Sequence, residues 1–335
     1  MKRFSQNLSI VALAALALAV TPAARAQRPA AKTPANPPAA GTLKAADLPG
    51  FALIPAGEFM MGDALDGDKD APRHKVNVSA FYMQKTEVTK AQWEEVRAWG
   101  LKNGYTDLRE GAGKAAEHPV LAVFWYDAVK WCNARSEKEG LTPCYYTDAA
   151  QTVPYRTGKS DLANTMVKWS ATGYRLPTEA EWDKAARGGL ESKRFPWGDV
   201  ISHSEANFRN VANFTNEGQG RNESKKSFQT GTTGYHPTYM TGEKPYTSPV
   251  GSFAANGYGL YDMAGNVWEW CWDWYGDYPS VLETDPRGAV SGSERVFRGG
   301  AWDCNARGVR CATRYRYRPL SAYYALGFRL ARGQP

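Results

Sequence analysis

Residues 256–273 read Asn-Gly-Tyr-Gly-Leu-Tyr-Asp-Met-Ala-Gly-Asn-Val-Trp-Glu-Trp-Cys-Trp-Asp, and this stretch decides the fold. Its three glycines let the backbone turn where a side chain would clash. The apolar side chains between them are too large to leave in water, and the polar residues are few: Asn256, Asp262, Asn266 and Glu269. The residues alone leave two interpretations, turn residues that satisfy the backbone or oxygen ligands for a hard cation, and the composition favours the turn.

Within this stretch, residues 259–270 closely resemble the hallmark of the formylglycine-generating enzyme family, also called the sulfatase-modifying factor family. Four further segments agree with the family in the same order. They are residues 54–62 (Ile-Pro-Ala-Gly-Glu-Phe-Met-Met-Gly), 87–89 (Glu-Val-Thr), 175–182 (Arg-Leu-Pro-Thr-Glu-Ala-Glu-Trp), and 298–302 (Arg-Gly-Gly-Ala-Trp) with 327–330 (Gly-Phe-Arg-Leu). The resemblance covers about residues 50 to 332 and implies a C-type-lectin-like fold of low regular secondary structure.

Local patterns independently predict an α+β domain with a few short helices, several short strands and much loop. Three helices are predicted: one capped by Thr89, one over residues 126–138, and one with a Thr178/Glu181 capping box that ends at Gly188. Strands are predicted as a pair over residues 51–61 around a turn at 55–57, and singly at 75–83, 295–298 and 327–330.

The N-terminal region has the composition of an export signal. Lys2 and Arg3 precede an apolar core at residues 8–20, and Ala24-Arg25-Ala26 is a small-x-small cleavage site. The core is too short for a membrane span, and no cysteine follows it to carry a lipid anchor. We therefore expect residues 1–26 to be a signal peptide and the product to be periplasmic or secreted.

Residues 27–46 are rich in proline and alanine and are predicted to be a flexible linker, which leaves residues 47–335 as one domain. The formal charge of +7 falls to +4 when Lys2, Arg3 and Arg25 leave with the signal peptide. So small an excess argues against a nucleic-acid partner.

Five cysteines are present, which is an odd number for an exported protein: Cys132, Cys144, Cys271, Cys304 and Cys311. In the enzymes of the family, a Cys-x-x-x-x-Cys pair after the Gly-Gly turn holds copper(I), activates oxygen and oxidises a sulfatase cysteine to formylglycine. Cys304 matches the first of these positions, but Val309 occupies the second. Cys304 and Cys311 remain candidates for a displaced catalytic or copper pair, although a structural role is favoured.

The resemblance also implies calcium. One family site is matched here by the side chains of Asp262 and Glu269 and the carbonyls of Gly265 and Val267. With the resemblance added, a calcium site is favoured over a simple turn. A second family site matches Asn207 and Phe208, but its expected aspartate falls near Gly242.

The C-terminal segment after the Gly-Gly turn is rich in tyrosine and arginine. Such residues suit adaptable binding surfaces, because tyrosine offers a large contact area at low entropic cost. The predicted ligand-binding residues are Trp302, Asp303, Asn305, Arg307, Tyr315, Tyr317, Tyr323 and Tyr324. In lectin-fold variable proteins that resemble this family, the same segment is the ligand surface. The alternative is that the alternation reflects only the two faces of one strand.

Two functions follow. The first is an exported binding or maturation-accessory protein whose ligand is a protein, peptide or glycan; a purely structural role is not separable from it. The second is a divergent oxidase that acts through Cys304 on a cysteine of an exported sulfatase or another substrate. The missing second cysteine favours the first.

Overall fold

The computed structural model describes residues 48–65, 69–211 and 228–334. The predicted signal peptide and linker lie outside the described residues. The regular elements are short. In chain order they are β1 (Phe51–Ile54), β2 (Gly57–Met61), β3 (His74–Val78), β4 (Phe81–Gln84), α1 (Lys90–Gly100), α2 (Trp125–Lys138), a 3-10 turn (Asn164–Met166), α3 (Glu179–Arg187), β5 (Trp268–Trp274), β6 (Glu283–Thr284), β7 (Arg295–Arg298), β8 (Arg314–Tyr317), β9 (Leu326–Gly327) and β10 (Ala331–Gly333). This content confirms the predicted α+β class with little regular structure.

Three small sheets organise the described residues. Their strand orders are β1-β4-β10, β2-β3-β6 and β8-β7-β5-β9. The predicted pairing of β1 with β2 is wrong: β1 pairs with β4, and β2 pairs with β3 in another sheet. The turn at residues 55–57 therefore carries the chain between sheets. The predicted strand at 327–330 is also shorter, because only Leu326 and Gly327 pair with β5.

Two of the three helices begin where the capping residues predict, whereas α2 has no side-chain cap. Thr89 caps α1 and Thr178 caps α3, each in a reciprocal capping box with the third helical residue. A cap of this kind contributes about 1 kcal/mol. Gly188 ends α3 at φ +57°, a left-handed conformation that glycine adopts without strain.

Tryptophan and arginine share the interior of the domain. Seven tryptophans are fully buried: Trp93, Trp125, Trp131, Trp182, Trp270, Trp272 and Trp302. Buried arginines bond to carboxylates beside them, as Arg314 does to Glu179 and Arg329 does to Glu269. Because each such charge has a partner, this interior is held by specific pairs as well as by apolar contact.

No helix within residues 48–65, 69–211 and 228–334 is long and apolar enough to cross a bilayer.

Candidate functional site

The glycine pair after β7 sets the geometry of the C-terminal segment. Gly299 and Gly300 have φ values of +94° and +75°. A Cβ on Gly300 would lie 2.5 Å from Cγ1 of Val309, so a side chain cannot be accommodated there without a shift. The turn is held against residues 256–273, because the backbone N–H of Trp302 donates to the carbonyl of Asn266 at 2.9 Å.

A cleft of about 610 Å³ opens between β8, the loop that follows the glycine pair, and the aromatic face of β5 and β7. We call it the Tyr/Arg cleft. Six of the eight predicted ligand-binding residues line it: Asp303, Asn305, Arg307, Tyr315, Tyr317 and Tyr323. Tyr315 and Tyr317 are 59% and 42% exposed, so a ligand in the cleft has access to both rings. The cleft is within the size range of ligand pockets in proteins.

The other two predicted residues lie elsewhere. Trp302 is fully buried and packs against Tyr235 and Tyr246, with ring centroids 5.5 and 5.3 Å away. It supports the segment and does not line the cleft, because its apolar surface is covered by those rings. Tyr324 is exposed beside the cleft, where its hydroxyl donates to Oδ2 of Asp303 at 2.6 Å.

Sequence reasoning missed the aromatic floor of the cleft. Trp268 on β5 and Phe297 on β7 have ring centroids 4.9 Å apart, and Tyr315 on β8 lies 5.6 Å from each. Such rings offer an apolar surface on which a ligand group can stack. Phe297 stood in a predicted strand and Trp268 in the stretch at residues 256–273, but only the pairing of β5, β7 and β8 brings them to one face.

Most charges at the cleft are balanced within the protein. Arg314 bonds to Glu179 through Nε at 2.9 Å and Nη2 at 2.6 Å, and Arg316 lies 3.1 Å from Glu294. Asp303 accepts the hydroxyls of both Tyr323 and Tyr324. These contacts hold the side chains in place before a ligand arrives, which lowers the entropic cost of binding.

Cys304, which matches the first cysteine position of the family, lines the cleft and is partly exposed. Its pKa is raised to about 12, first by burial and then by the neighbouring Asp303 carboxylate. Without a bound metal the thiol is therefore protonated at neutral pH, whereas a nucleophilic cysteine is a thiolate.

The second donor of a copper pair is not brought to Cys304. Cys311 is fully buried against Met61 and Ala180, in a cluster other than those that Cys304 contacts. Val309 packs beneath the glycine turn. All five cysteines, each within the described residues, are free thiols. Two thiolates are the usual holders of copper(I), so this donor set does not fit the family's copper site.

The predicted calcium ligands are close together, but most of their carboxylate oxygens already accept hydrogen bonds from the protein. Both oxygens of Glu269 accept bonds from Arg329 at 2.6 Å, and Oε2 also accepts the Trp182 indole N–H at 2.7 Å. Asp262 accepts the Gly251 N–H through Oδ2, while its buried Oδ1 has no partner. Burial raises the pKa of Asp262 to about 6.

A residue that the calcium prediction left out lies beside Asp262. Glu87 is fully buried, its Oε2 has no partner, and its pKa is raised by burial and then by the charge of Asp262. These two neighbouring buried carboxyl groups fit either a shared proton or a hard cation, whereas the committed Glu269 fits neither. Within the described chain no group of three or more histidine, cysteine, aspartate or glutamate side chains is arranged to hold a metal. Calcium at Asp262, Gly265, Val267 and Glu269 therefore stays a prediction.

The second predicted calcium site is weaker still. Asn207 leaves its buried Oδ1 without a partner, but the carbonyl of Phe208 already accepts a bond from Nε2 of His203 at 3.1 Å. Gly242, where the family has an aspartate, is exposed and offers no side chain.

Comparisons with known proteins agree with this architecture. The sulfatase-modifying factor enzyme 1-like domain family matches residues 37–334. The formylglycine-generating enzyme of Mus musculus is 35% identical over 298 residues, which cover 83% of this chain and 73% of that protein. The chaperone protein LppX of Paenibacillus barcinonensis is 34% identical over 258 residues, covering 75% and 78% of the two chains. The solved structure of Treponema denticola variable protein 1 superimposes with a TM-score of 0.63 at 28% identity, covering 85% of this chain and 95% of its own.

Proposed function

The chain belongs to the sulfatase-modifying factor family, and from that premise we propose that it is an exported binding or maturation-accessory protein whose ligand occupies the Tyr/Arg cleft. The ligand is a peptide, protein or glycan of the same compartment. The observation that carries this proposal is the exposure of Tyr315 and Tyr317 over an aromatic floor. Exposed tyrosines held by a rigid strand are a common composition of binding surfaces.

The cysteines support a role without oxidation. A single protonated thiol faces the cleft, and Val309 stands where the family's enzymes have their second cysteine. The likeness to a protein named as a chaperone and to one named as a variable protein also agrees with recognition as the function.

A photocrosslinking experiment tests the proposal. The photoreactive residue p-benzoylphenylalanine replaces Tyr315 in the exported protein, and in a matched control it replaces Val153, which is 54% exposed and does not line the cleft. We expect discrete crosslinked species from position 315 and none of the same mass from position 153. The same adducts from both positions, or none from either, would contradict a ligand in this cleft.

The second candidate is a divergent oxidase, favoured by the position of Cys304 at the cleft and by the likeness to the formylglycine-generating enzyme of Mus musculus. Copper(I) titration of the reduced protein, with Cys304→Ala as control, separates the two functions. We expect no tight binding that depends on Cys304. Tight binding that the substitution abolishes would instead support the oxidase and direct the search to cysteine-containing peptides.

A further inference from the structure

Strand β8 has an open outer edge. It is the first strand in the order β8-β7-β5-β9 and pairs only with β7, with Tyr315 opposite Phe297. In an antiparallel pair, alternate residues direct their N–H and C=O groups away from the neighbouring strand. Within the part of the chain that the structure describes, residues 314–317 form no backbone hydrogen bonds other than those of this pair. The outer edge of β8 therefore offers donors and acceptors to an incoming chain.

The Tyr/Arg cleft runs along this edge. Side chains of a strand alternate between its two faces, so Tyr315 and Tyr317 lie on one face of β8 and Arg314 and Arg316 on the other. All four residues line the cleft. A cleft on a single face would be lined by alternate residues only, so this cleft includes the outer edge that the two faces share. Residues 315–317 are all exposed, which leaves the edge open to a ligand.

The two faces of β8 offer different chemistry at this edge. The face with Tyr315 and Tyr317 continues into the aromatic floor, because Tyr315 lies 5.6 Å from the ring of Phe297. The opposite face carries Arg316, whose side chain is 49% exposed, and Arg318 follows the strand in an exposed position. A neighbouring strand would therefore need apolar side chains on one face and acidic side chains on the other.

Charge also decides between a partner and a second copy of this chain. Open strand edges pair with other strands unless they are covered or shielded. Antiparallel pairing of two β8 edges would place the arginines of both copies on the same face, where like charges on adjacent strands repel. A segment with acidic side chains instead gains attraction at the same positions. The charges thus favour an acidic partner over self-association.

We propose that the ligand of the Tyr/Arg cleft is an extended peptide segment that adds to the outer edge of β8 as a further strand, with acidic and apolar residues in alternation. Its backbone pairs with β8, its apolar side chains pack beside Tyr315 and Tyr317, and its carboxylates face Arg316 and Arg318. This inference rests on the function proposed above, because it names the ligand class for the same cleft. A glycan cannot add a strand to a sheet, so the inference selects among the ligands considered there.

Fluorescence anisotropy with the folded, full-length mature chain tests strand addition. The first probe is a fluorescein-labelled Glu-Val-Glu-Val-Glu-Val peptide amide, and the second has lysine in place of every glutamate. Two further probes carry N-methyl groups on all the valine amides or on all the glutamate amides. In an added strand one of these two sets of N–H groups points towards β8 and the other points away from it.

We expect saturable binding of the glutamate peptide and at least tenfold weaker binding of the lysine peptide. One N-methylated peptide should lose at least tenfold in affinity, while the other stays within about threefold of the parent. Equal affinities of the two N-methylated peptides would overturn strand addition, and equal affinities of the acidic and basic peptides would overturn the charge preference. These comparisons need only the wild-type protein.

A charge reversal on β8 provides a second test. Arg316→Glu should weaken binding of the glutamate peptide at least fivefold, whereas Lys102→Glu, an equal change of charge at an exposed position away from the cleft, should change it twofold or less. Equal effects of the two substitutions would contradict a contact at β8. Absent peptide binding together with a dimer in light scattering would assign the edge to a second copy. If position 315 still gives discrete crosslinks while no peptide binds, the proposed function stands and strand addition is wrong.

Discussion

Two regions that the sequence marks as functional differ in exposure. In the stretch around Asp262 and Glu269, the side chains are buried and nearly every polar atom is bonded to another part of the chain. At the Tyr/Arg cleft, Tyr315 and Tyr317 on the edge strand β8 are exposed to solvent. The difference indicates that the most recognisable residues of this chain hold the fold together, while the less regular tail leaves large side chains exposed, which agrees with the proposed binding role. Substitutions in the first region should therefore affect stability, and those in the second should affect binding.

The largest effect is expected from Glu269→Gln. The substitution removes the charge that pairs with Arg329 and leaves that guanidinium buried, with both residues fully inaccessible. Breaking a buried pair in this way costs about 3–5 kcal/mol. Urea unfolding of the mature domain measures the loss. The matched control is Glu294→Gln, whose partner Arg316 is half exposed, and it should cost less than about 1 kcal/mol. Equal losses in the two variants would contradict the distinction between the regions.

A smaller, pH-dependent effect is expected from Asp273→Asn. The folded-state pKa of Asp273 is raised to about 8, well above its ordinary value of 3.8. The folded state therefore binds the proton more tightly, so its stabilisation is complete below pH 4 and is lost as the pH rises towards 8. The titratable groups that face Asp273 are Glu179, Glu181, Arg314, Arg295 and the neutral thiol of Cys271.

Because asparagine does not titrate, the variant should gain stability relative to the wild type as the pH rises from 4 to 8, and the gain should level off above pH 8. Unfolding free energies measured at several pH values check this. A difference that stays constant with pH would show that Asp273 is ionised throughout the range.

The sequence predicted the local features of both regions and missed the distant ones. The caps of α1 and α3 were predictable because the interacting residues are three positions apart. The order of the family motifs along the chain was enough to assign Cys304 and Tyr315 to the same segment after the Gly-Gly turn. The buried ion pair between Glu269 and Arg329 could not be predicted, because the two residues are 60 positions apart in sequence and meet only when the sheets assemble. The same is true of the wrong β1–β2 pairing, since strand partners are decided by tertiary packing.

A modest effect is expected from calcium, which we retain as a proposal. The orphaned oxygens of Asp262 and Glu87 would gain a cation, and a ligand at one hundred times its Kd stabilises the folded state by about 2.7 kcal/mol. We expect millimolar calcium to raise the melting temperature of the EDTA-treated domain by several degrees, and Asp262→Asn to abolish the rise. Asp277→Asn is the control and should keep it. A wild-type melting temperature that does not change with calcium would contradict a calcium site in this region.

The smallest effect on stability, and the clearest test of the comparison, is expected from Tyr315→Ala. Its ring is largely exposed and contacts Trp268 and Phe297 only at the surface, so the unfolding free energy should fall by about 1 kcal/mol or less. The loss of binding free energy should be larger than the loss of stability, because an exposed aromatic anchor in a cleft commonly contributes more than 2 kcal/mol to a complex. Crosslinking from a photoreactive residue at position 317 reports on occupancy of the cleft in this background. A sharp fall in crosslinking with an unchanged melting curve would place recognition on β8, whereas lost stability with retained crosslinking would make Tyr315 part of the framework and move the ligand surface elsewhere.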